Sequence, residues 1–289
     1  MMSPPEPEVV ELVPASQFTL DELTAAYNQT RVDYIVPMPM NVERLYEYIR
    51  TYDVDLSRSA VALCGEEMLG LAMLGVRPGH TWVTRLGMLP ASRRRGAGQK
   101  LVEYLIARSV ELEVPHVILE VIKHNTPAHC LFQKLGFRET RELLVLRRPP
   151  GPATEVVEPY TEEFLESEEA LELLEQRRSC PSWLDEAPSL RNAGRMEGFR
   201  VTLASGGSGW IIFQHNLFQL GKLVLQPETG DLHEVARALL HTLYNHHPRH
   251  DTQLENLPED ASYWPTLQEF GFVVSFRRIE MRLDLRSAS

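Results

Sequence analysis

The chain has 289 residues, a length that suits about two domains. Hydrophobic residues at 43% and charged residues at 24% exclude a disordered chain. A net charge of -11, from 29 Lys/Arg and 40 Asp/Glu, excludes broad nucleic-acid binding, which needs a basic surface.

The acidity is uneven: residues 1–150 carry 17 Lys/Arg and 18 Asp/Glu, whereas residues 151–289 carry 12 and 22. The sequence has no run of about 18 apolar residues, so no membrane span is expected. The acidic, proline-rich start offers no apolar signal core. Cys64, Cys130 and Cys180 match neither a disulfide framework nor a zinc pattern, and suit a reducing cytoplasm.

Glu8 to Val13 reads as a strand. Thr19 then caps a helix, with Glu22 completing a capping box. A second amphipathic helix is expected from Asn41 to Tyr52, and three strands follow to about Leu89. Gly98 to Leu112 reads as a helix with Leu101, Leu105 and Val110 in one apolar stripe. His116 to Ile122 has the look of a buried strand. Pro127 to Leu135 is a short helix closed by Gly136, and Glu142 to Leu146 is a last strand.

The prolines from Pro149 to Pro152 break both helix and sheet, and divide the chain into 1–148, a linker at 149–154, and 155–289. The halves keep a common register. Glu120 to Gly136 spans 16 residues, as does Glu255 to Gly271, and Pro90 to Pro227 is 137 residues where Gly136 to Gly271 is 135. That register points to a duplicated domain. Glu158 to Glu175, with eight glutamates, reads as a solvated helix face.

The chemistry concentrates in Leu86-Gly87-Met88-Leu89-Pro90-Ala91-Ser92-Arg93-Arg94-Arg95-Gly96-Ala97-Gly98-Gln99. A strand enters, a basic glycine-rich loop turns, and a helix leaves. Backbone amides at such a helix start lack partners and converge on one spot, aided by the helix dipole. Gly96 and Gly98 admit a pyrophosphate close to the backbone, and Arg93, Arg94 and Arg95 add charge. A solvated basic loop would use the same residues without binding anything. Further on stand Glu120 and the segment Asn125-x-x-Ala128-x-x-Leu131-Phe132-x-Lys134-x-Gly136-Phe137.

Taken together these segments resemble the GCN5-related N-acetyltransferases (GNAT), specifically over residues 60–148. The resemblance implies an α/β (α+β) fold of two tandem acyl-CoA N-acyltransferase-like domains, each a mixed, mostly antiparallel sheet flanked by helices. It implies acetyl-CoA as acyl donor, with no metal. Arg93-x-x-Gly96-x-Gly98 matches the pyrophosphate loop, Leu86 and Met88 the strand that pairs with pantetheine, and Asn125 the residue that contacts the cofactor arm; Ala97, Gln99, Ala128 and Phe132 join them as cofactor contacts. The implied reaction is direct attack of a primary amine on the thioester in a ternary complex. Freeing a lysine-like amine of its proton at pH 7 costs about 4–5 kcal/mol. A carboxylate base meets that cost, and a backbone N–H, implied at Met88, stabilises the oxyanion.

Glu120 is the expected base, since Leu119-Glu120-Val121 resembles the fifth strand of ribosomal-protein alanine acetyltransferases. A purely structural role for a charge in this strand stays open, because Glu255 matches it in the second half. Many relatives carry a tyrosine acid where Phe132 stands; here either another group such as Tyr34 or Tyr104 serves, or the thiolate leaves unaided, or the activity is weak. Cys130, two residues away, is expected to be a buried small hydrophobe.

The segment from Asn28 to Asn41 is expected to cover the acceptor, with Asp33 and Tyr34 as substrate contacts or, alternatively, a cap and a packed ring. The second half has the scaffold without the loop: His233 and Val235 fall at the matching glycine positions, and Glu228 and Asp231 would repel phosphate. His241, His246, His247 and His250 straddle a helix end and Pro248, a spacing that gives no metal site. The sequence therefore reads as a cytoplasmic N-acetyltransferase, monomer or homodimer. Its expected acceptor is a small-molecule or peptide amine, and the acidic second half favours a cationic one. It has no nucleic-acid or membrane partner, and a degenerate second domain. A non-catalytic acyl-CoA sensor or scaffold is the alternative.

Overall fold

The computed structural model describes residues 10–36, 38–93, 96–177 and 179–285. Two compact units divide the chain: residues 1–140 with 280–289, and residues 141–279. These bounds differ from the sequence division at the linker because the last strand of each half is exchanged.

The first half of the chain runs β1 (Glu11–Pro14), α1 (Leu20–Thr30), α2 (Val42–Thr51), β2 (Ala60–Cys64), β3 (Glu67–Arg77), β4 (His80–Met88), α3 (Ala97–Glu111), β5 (His116–Ile122), α4 (Thr126–Lys134) and β6 (Arg138–Arg148). The second repeats that order: β7 (Tyr160–Leu165), α5 (Ser167–Glu175), α6 (Ala187–Asn192), β8 (Glu197–Leu203), β9 (Ser208–His215), β10 (Gln219–Thr229), α7 (Leu232–His246), β11 (Asp251–Pro258), α8 (Trp264–Glu269) and β12 (Val273–Asp284). Strands of the first unit lie in the order β1-β2-β3-β4-β5-β12, and those of the second in the order β7-β8-β9-β10-β11-β6. β12 ends beside β5, where the Leu285 N–H donates to the Pro115 carbonyl at 2.9 Å, while β6 pairs antiparallel with β11. Among the described residues no helix is long and apolar enough to cross a membrane.

The capping box of α1 is present: Thr19 accepts from the Glu22 N–H, and Glu22 accepts from that of Thr19. Leu23, Tyr27 and Leu45 from α1 and α2 pack against Val61, Leu71 and Met73. Strand alternation turns Ala72 and Leu74 to the opposite face, where α3 lies. Leu101, Val102 and Leu105 of α3 are fully buried there. Burial of each such side chain contributes roughly 1.5–3 kcal/mol. Val110 does not join this stripe: it is exposed, and Ser109 takes the buried place, bonded to Thr81 at 2.7 Å and to the Leu105 carbonyl at 2.8 Å. A hydroxyl is accepted inside because both its partners are inside too.

In the second unit α7 packs on one face, around Phe199, Phe213 and Leu225, and α5 and α6 pack on the other, around Trp210, Ile212 and Val224. The glutamate-rich stretch is not one helix. Its first part is β7, paired with β8 from Tyr160↔Leu203 to Leu165↔Gly198, and only Ser167–Glu175 is helical. Edge-strand charges on the solvent face mimic a solvated helix in the sequence.

Candidate active site

The β4–β5 pairing is parallel and short. It joins His80–Val83 to His116–Leu119 and stops there, although both strands continue. Beyond Val83 the two strands splay. A bulge in β4 marks the place: Leu71 faces Gly87 and Met73 faces Thr84, so one residue of β3 opposes two of β4. One of those two, Arg85, takes the left-handed backbone with φ 53°. Leu89 donates its N–H to Leu69 of β3, so by alternation Leu86 and Met88 turn their peptide groups away from β3, into the gap. Their carbonyls confirm this orientation: Arg31 Nη2 donates to Leu86 O at 2.9 Å and Arg93 Nε to Met88 O at 3.3 Å.

Gly87 lies between them because Thr30 packs on it; a Cβ there would meet Thr30 Oγ1 at 2.3 Å. Gly96 caps α3 with φ 80°, and among the described residues outside its chain neighbours nothing lies within 4 Å of where its Cβ would be. The first intrahelical 5→1 bond runs from Lys100 to Gly96 at 3.2 Å, so the amides of Ala97 and Gly98 precede the helical ladder. α4 faces this end with Asn125 as N-cap, its side chain accepting from the Ala128 N–H at 3.4 Å.

A cleft of about 710 Å³ opens between these parts. Leu86, Met88, Arg93, Gly96, Gly98, Gln99, Asn125 and Ala128 line it, as do Asp33 and Tyr34. Ala97 is buried beneath it. Phe132 does not line it; the ring is buried against Phe137, with centroids 6.0 Å apart. Arg94 and Arg95 lie outside the described residues. Cys130 is exposed on the cleft, not the buried hydrophobe its small size suggested, because α4 turns Phe132 inward and Cys130 outward.

Arg93 does not stand free at the loop. Its guanidinium grips Asp33 through both nitrogens at 2.6 Å, and Nη2 also donates to Thr30 O at 3.3 Å. That hydrogen bond holds the Asp33 carboxyl below its ordinary range and raises Arg93 above its own. Asp33 thus ties the segment after α1 to the loop before α3. Tyr34 lies under the Arg31 guanidinium, 4.0 Å from its ring centroid. Sequence reasoning missed Lys134, which lines the cleft and donates from Nζ to Gln99 Oε1 at 2.9 Å, adding a cation from α4.

Glu120 is the first residue of β5 past the last pair with β4, and is not part of the cleft lining. Its charge acts on Tyr48, whose phenol bonds Thr84 at 2.6 Å and lies 3.9 Å from the Arg85 guanidinium. Burial pushes that phenol up to about 12, against the opposing pull of Arg85 and Thr84, so Tyr48 keeps its proton at neutral pH. Tyr104 is on α3 beneath Arg108, off the cleft.

The second unit builds the same helix start closed. Asp231 caps α7, accepting from His233 at 2.9 Å and Glu234 at 3.2 Å. Gly230 is packed so tightly that a Cβ would meet Gly207 Cα at 2.5 Å. Asp231 stands where Gly96 does and His233 where Gly98 does, two residues before the places the register of Pro90 and Pro227 gives, because the turn after β10 is shorter than the loop after β4. Glu255, the counterpart of Glu120, is bound by Arg278 at 3.0 Å.

Residues 22–137 match the acetyltransferase (GNAT) family model. N-alpha-acetyltransferase 30 of Dictyostelium discoideum is 26% identical over 110 residues, which is 36% of this chain and 59% of that protein, less than two thirds of its length. A GCN5-related N-acetyltransferase of Sphaerobacter thermophilus superposes with TM-score 0.70 at 18% identity, over 97% of each chain. A tandem GNAT protein of the clavulanic acid biosynthesis pathway gives TM-score 0.66 at 15% identity, over 97% of this chain and 100% of its own. At those identities the likeness is one of fold, and it extends over both units. Residues 22–137 thus carry the acetyltransferase (GNAT) domain match, and the fold of the described residues is that of tandem GNAT proteins.

Proposed function

We propose that the protein is an acetyl-CoA-dependent N-acetyltransferase whose first unit carries the reaction. The observation that supports this most is the continuity of the outward-turned peptide edge of Leu86 and Met88 with the open start of α3. An extended amide-bearing arm can pair with the former while its pyrophosphate meets the latter. Gly96 and Gly98 give the phosphates access to the backbone, and Lys134 supplies charge from the facing helix. When bound, the cosubstrate supplies an activated thioester.

The amine nitrogen attacks the thioester carbon, the N–C bond forms, and the C–S bond breaks. Glu120, set back from the cleft lining, accepts the amine proton through a water, and the Met88 N–H stabilises the oxyanion. Tyr34 is the phenol on the cleft, and gives the leaving thiolate its proton in place of the missing tyrosine at Phe132. The acceptor is a small-molecule or peptide amine; an N-alpha-acetyltransferase among the relatives makes peptide N-termini the first to try.

The test is incubation of the full chain with acetyl-CoA and a panel of amines, following free thiol. Glu120→Gln is expected to abolish turnover while leaving acetyl-CoA affinity unchanged. Tyr34→Phe is expected to lower kcat about 10²-fold or more with KM for acetyl-CoA little changed. Tight acetyl-CoA binding with no turnover on any amine would replace the enzyme reading by that of an acyl-CoA sensor.

A further inference from the structure

The second unit has no open phosphate cradle, yet it gathers three imidazoles that the sequence keeps apart. His215 ends β9, His247 caps α7, and His250 lies three residues beyond it, before β11. One ring nitrogen of each lies within 4.8 Å of the others. The ring centroids are 5.1 Å apart for His215 and His247, 5.8 Å for His215 and His250, and 5.1 Å for His247 and His250.

We propose that His215, His247 and His250 form a binding site for a divalent transition-metal ion that prefers imidazole, with Zn2+ as the reference ion and the fourth position open to solvent.

The supporting shell is already in place. His250 Nε2 is 3.0 Å from the Asn216 carbonyl, which fixes the proton on Nε2 and leaves the lone pair on Nδ1. That Nδ1 is buried and has no hydrogen-bond partner among the described residues. A buried acceptor without a donor costs about 1–3 kcal/mol unless something else uses its lone pair. His215 Nε2 lies 3.2 Å from Glu197 Oε2, the carboxylate–histidine pairing that orients a ligating ring. His247 rests edge-on to Phe213, with centroids 5.1 Å apart, and its own N–H closes α7 by donating to Leu243 at 2.9 Å. The negative end of the α7 dipole therefore faces the cluster and favours a cation.

The rings belong to anchored segments. Asn216 Oδ1 accepts from Phe218 and Gln219, which rigidifies the turn after His215, and the Asp251 N–H donates to Phe218 O. An ion at 2.0–2.1 Å from each nitrogen needs ligand atoms about 3.3 Å apart, so small side-chain rotations close the set. The exposed His215 gives the trio access to solvent, and a depression of about 420 Å³ lies beside it, lined by His247 and Glu197 among others. Three neutral imidazoles suit Zn2+, Co2+, Ni2+ or Cu2+ and not Mg2+ or Ca2+. Reading the four histidines near α7 alone hid the site, because the third ligand comes from β9 and His241 and His246 serve elsewhere: His241 bonds Tyr160 and His246 bonds Glu162, each at 2.8 Å.

Chelator-treated full-length protein is titrated with Co2+, read by visible absorption, and with Zn2+, read by calorimetry and thermal melting. One equivalent is expected, with ligand-field bands for Co2+ and a melting point raised by Zn2+ but not by Mg2+. His247→Gln and His250→Gln are each expected to lower affinity at least tenfold, about the scale seen for disturbed metal sites, and to lose the melting shift. His246→Gln, outside the trio, is expected to bind as the parent does. Melting of each variant without metal shows whether it folds; should His250→Gln not fold, the exposed His215→Gln decides. Parent protein without a Co2+ spectrum, or a folded trio variant with the parent's affinity, overturns the proposal.

Discussion

Gly98→Glu separates the fold from the cofactor site, because it pushes the two in opposite directions. Gly98 is the second residue of α3, and among the described residues a Cβ there meets Met88 Cγ at 3.5 Å and Sδ at 3.8 Å, which is ordinary contact. Removing a helical glycine contributes roughly 0.5–1 kcal/mol, and a carboxylate in the first turn adds about 0.3–1 kcal/mol through the dipole. The protein without ligand is therefore expected to become more stable by about 1–2 kcal/mol. Binding moves the other way. The new carboxylate fills the space in front of the Ala97 and Gly98 amides and repels the pyrophosphate. Losing two hydrogen bonds to a charged group, at about 1.5–3 kcal/mol each, lowers acetyl-CoA affinity by about two to four orders of magnitude. Gly98→Ala, with the same backbone effect and no charge, is expected to stay within a few-fold of the parent. Thermal melting without ligand and calorimetry with acetyl-CoA read the two effects. An unchanged acetyl-CoA affinity in Gly98→Glu would refute the cradle.

Three further outcomes follow from other parts of the molecule. Burial raises the Asp185 carboxyl to about 6, so the native state prefers it protonated: its contribution is complete below about pH 4, is lost as pH rises toward 6, and leaves a penalty at neutral pH. Because the side chain is only partly buried, Asp185→Asn is expected to gain about 1–3 kcal/mol at pH 7.5 and nothing at pH 4 in urea titrations; equal gains at both would disprove the assignment. Arg148, buried over the Tyr244 ring at 3.6 Å, donates to the carbonyls of Phe270, Pro149, Gly151 and Pro152, and Arg148→Met is expected to cost about 3–5 kcal/mol with Arg148→Lys recovering little. Cys130 and Cys180 are both exposed, so a thiol reagent labels both, and acetyl-CoA is expected to protect Cys130 alone, as peptide mass mapping would show.

The elements were legible wherever a local rule decided them. The Thr19 capping box, the His116–Ile122 strand and the repeated order of strands and helices follow from spacing, caps and alternation. The turn into α3 is local too, since Gly96 caps that helix with a left-handed backbone. What was hidden depends on meetings between distant residues. Asp33 and Arg93 are 60 residues apart, and nothing in either neighbourhood says that the loop arginine turns back onto an aspartate after α1. His215 joins His247 and His250 only because β9 and the end of α7 finish at the same edge. The exchange of β6 and β12 is invisible for a different reason: each half contains a suitable last strand, and pattern alone gives no preference between them.

The two helix starts show what the site costs. In the second unit Asp231 satisfies two amides of α7 with its own side chain, a cap that contributes about 1 kcal/mol. In the first, Gly96 offers no side chain to cap α3, and Gly98 weakens the first turn further. Stability alone would favour the Asp231 solution at both places. The less stable arrangement at residues 96–98 leaves the start of α3 without a side-chain cap, and binding of an anion there, as proposed, would recover the difference. The acidity of the second half fits the same logic. Asp231 closes the start of α7 with its own carboxylate, and Glu228 nearby accepts from Trp210 Nε1 at 3.1 Å, whereas a single carboxylate at the equivalent place before α3 would repel phosphate.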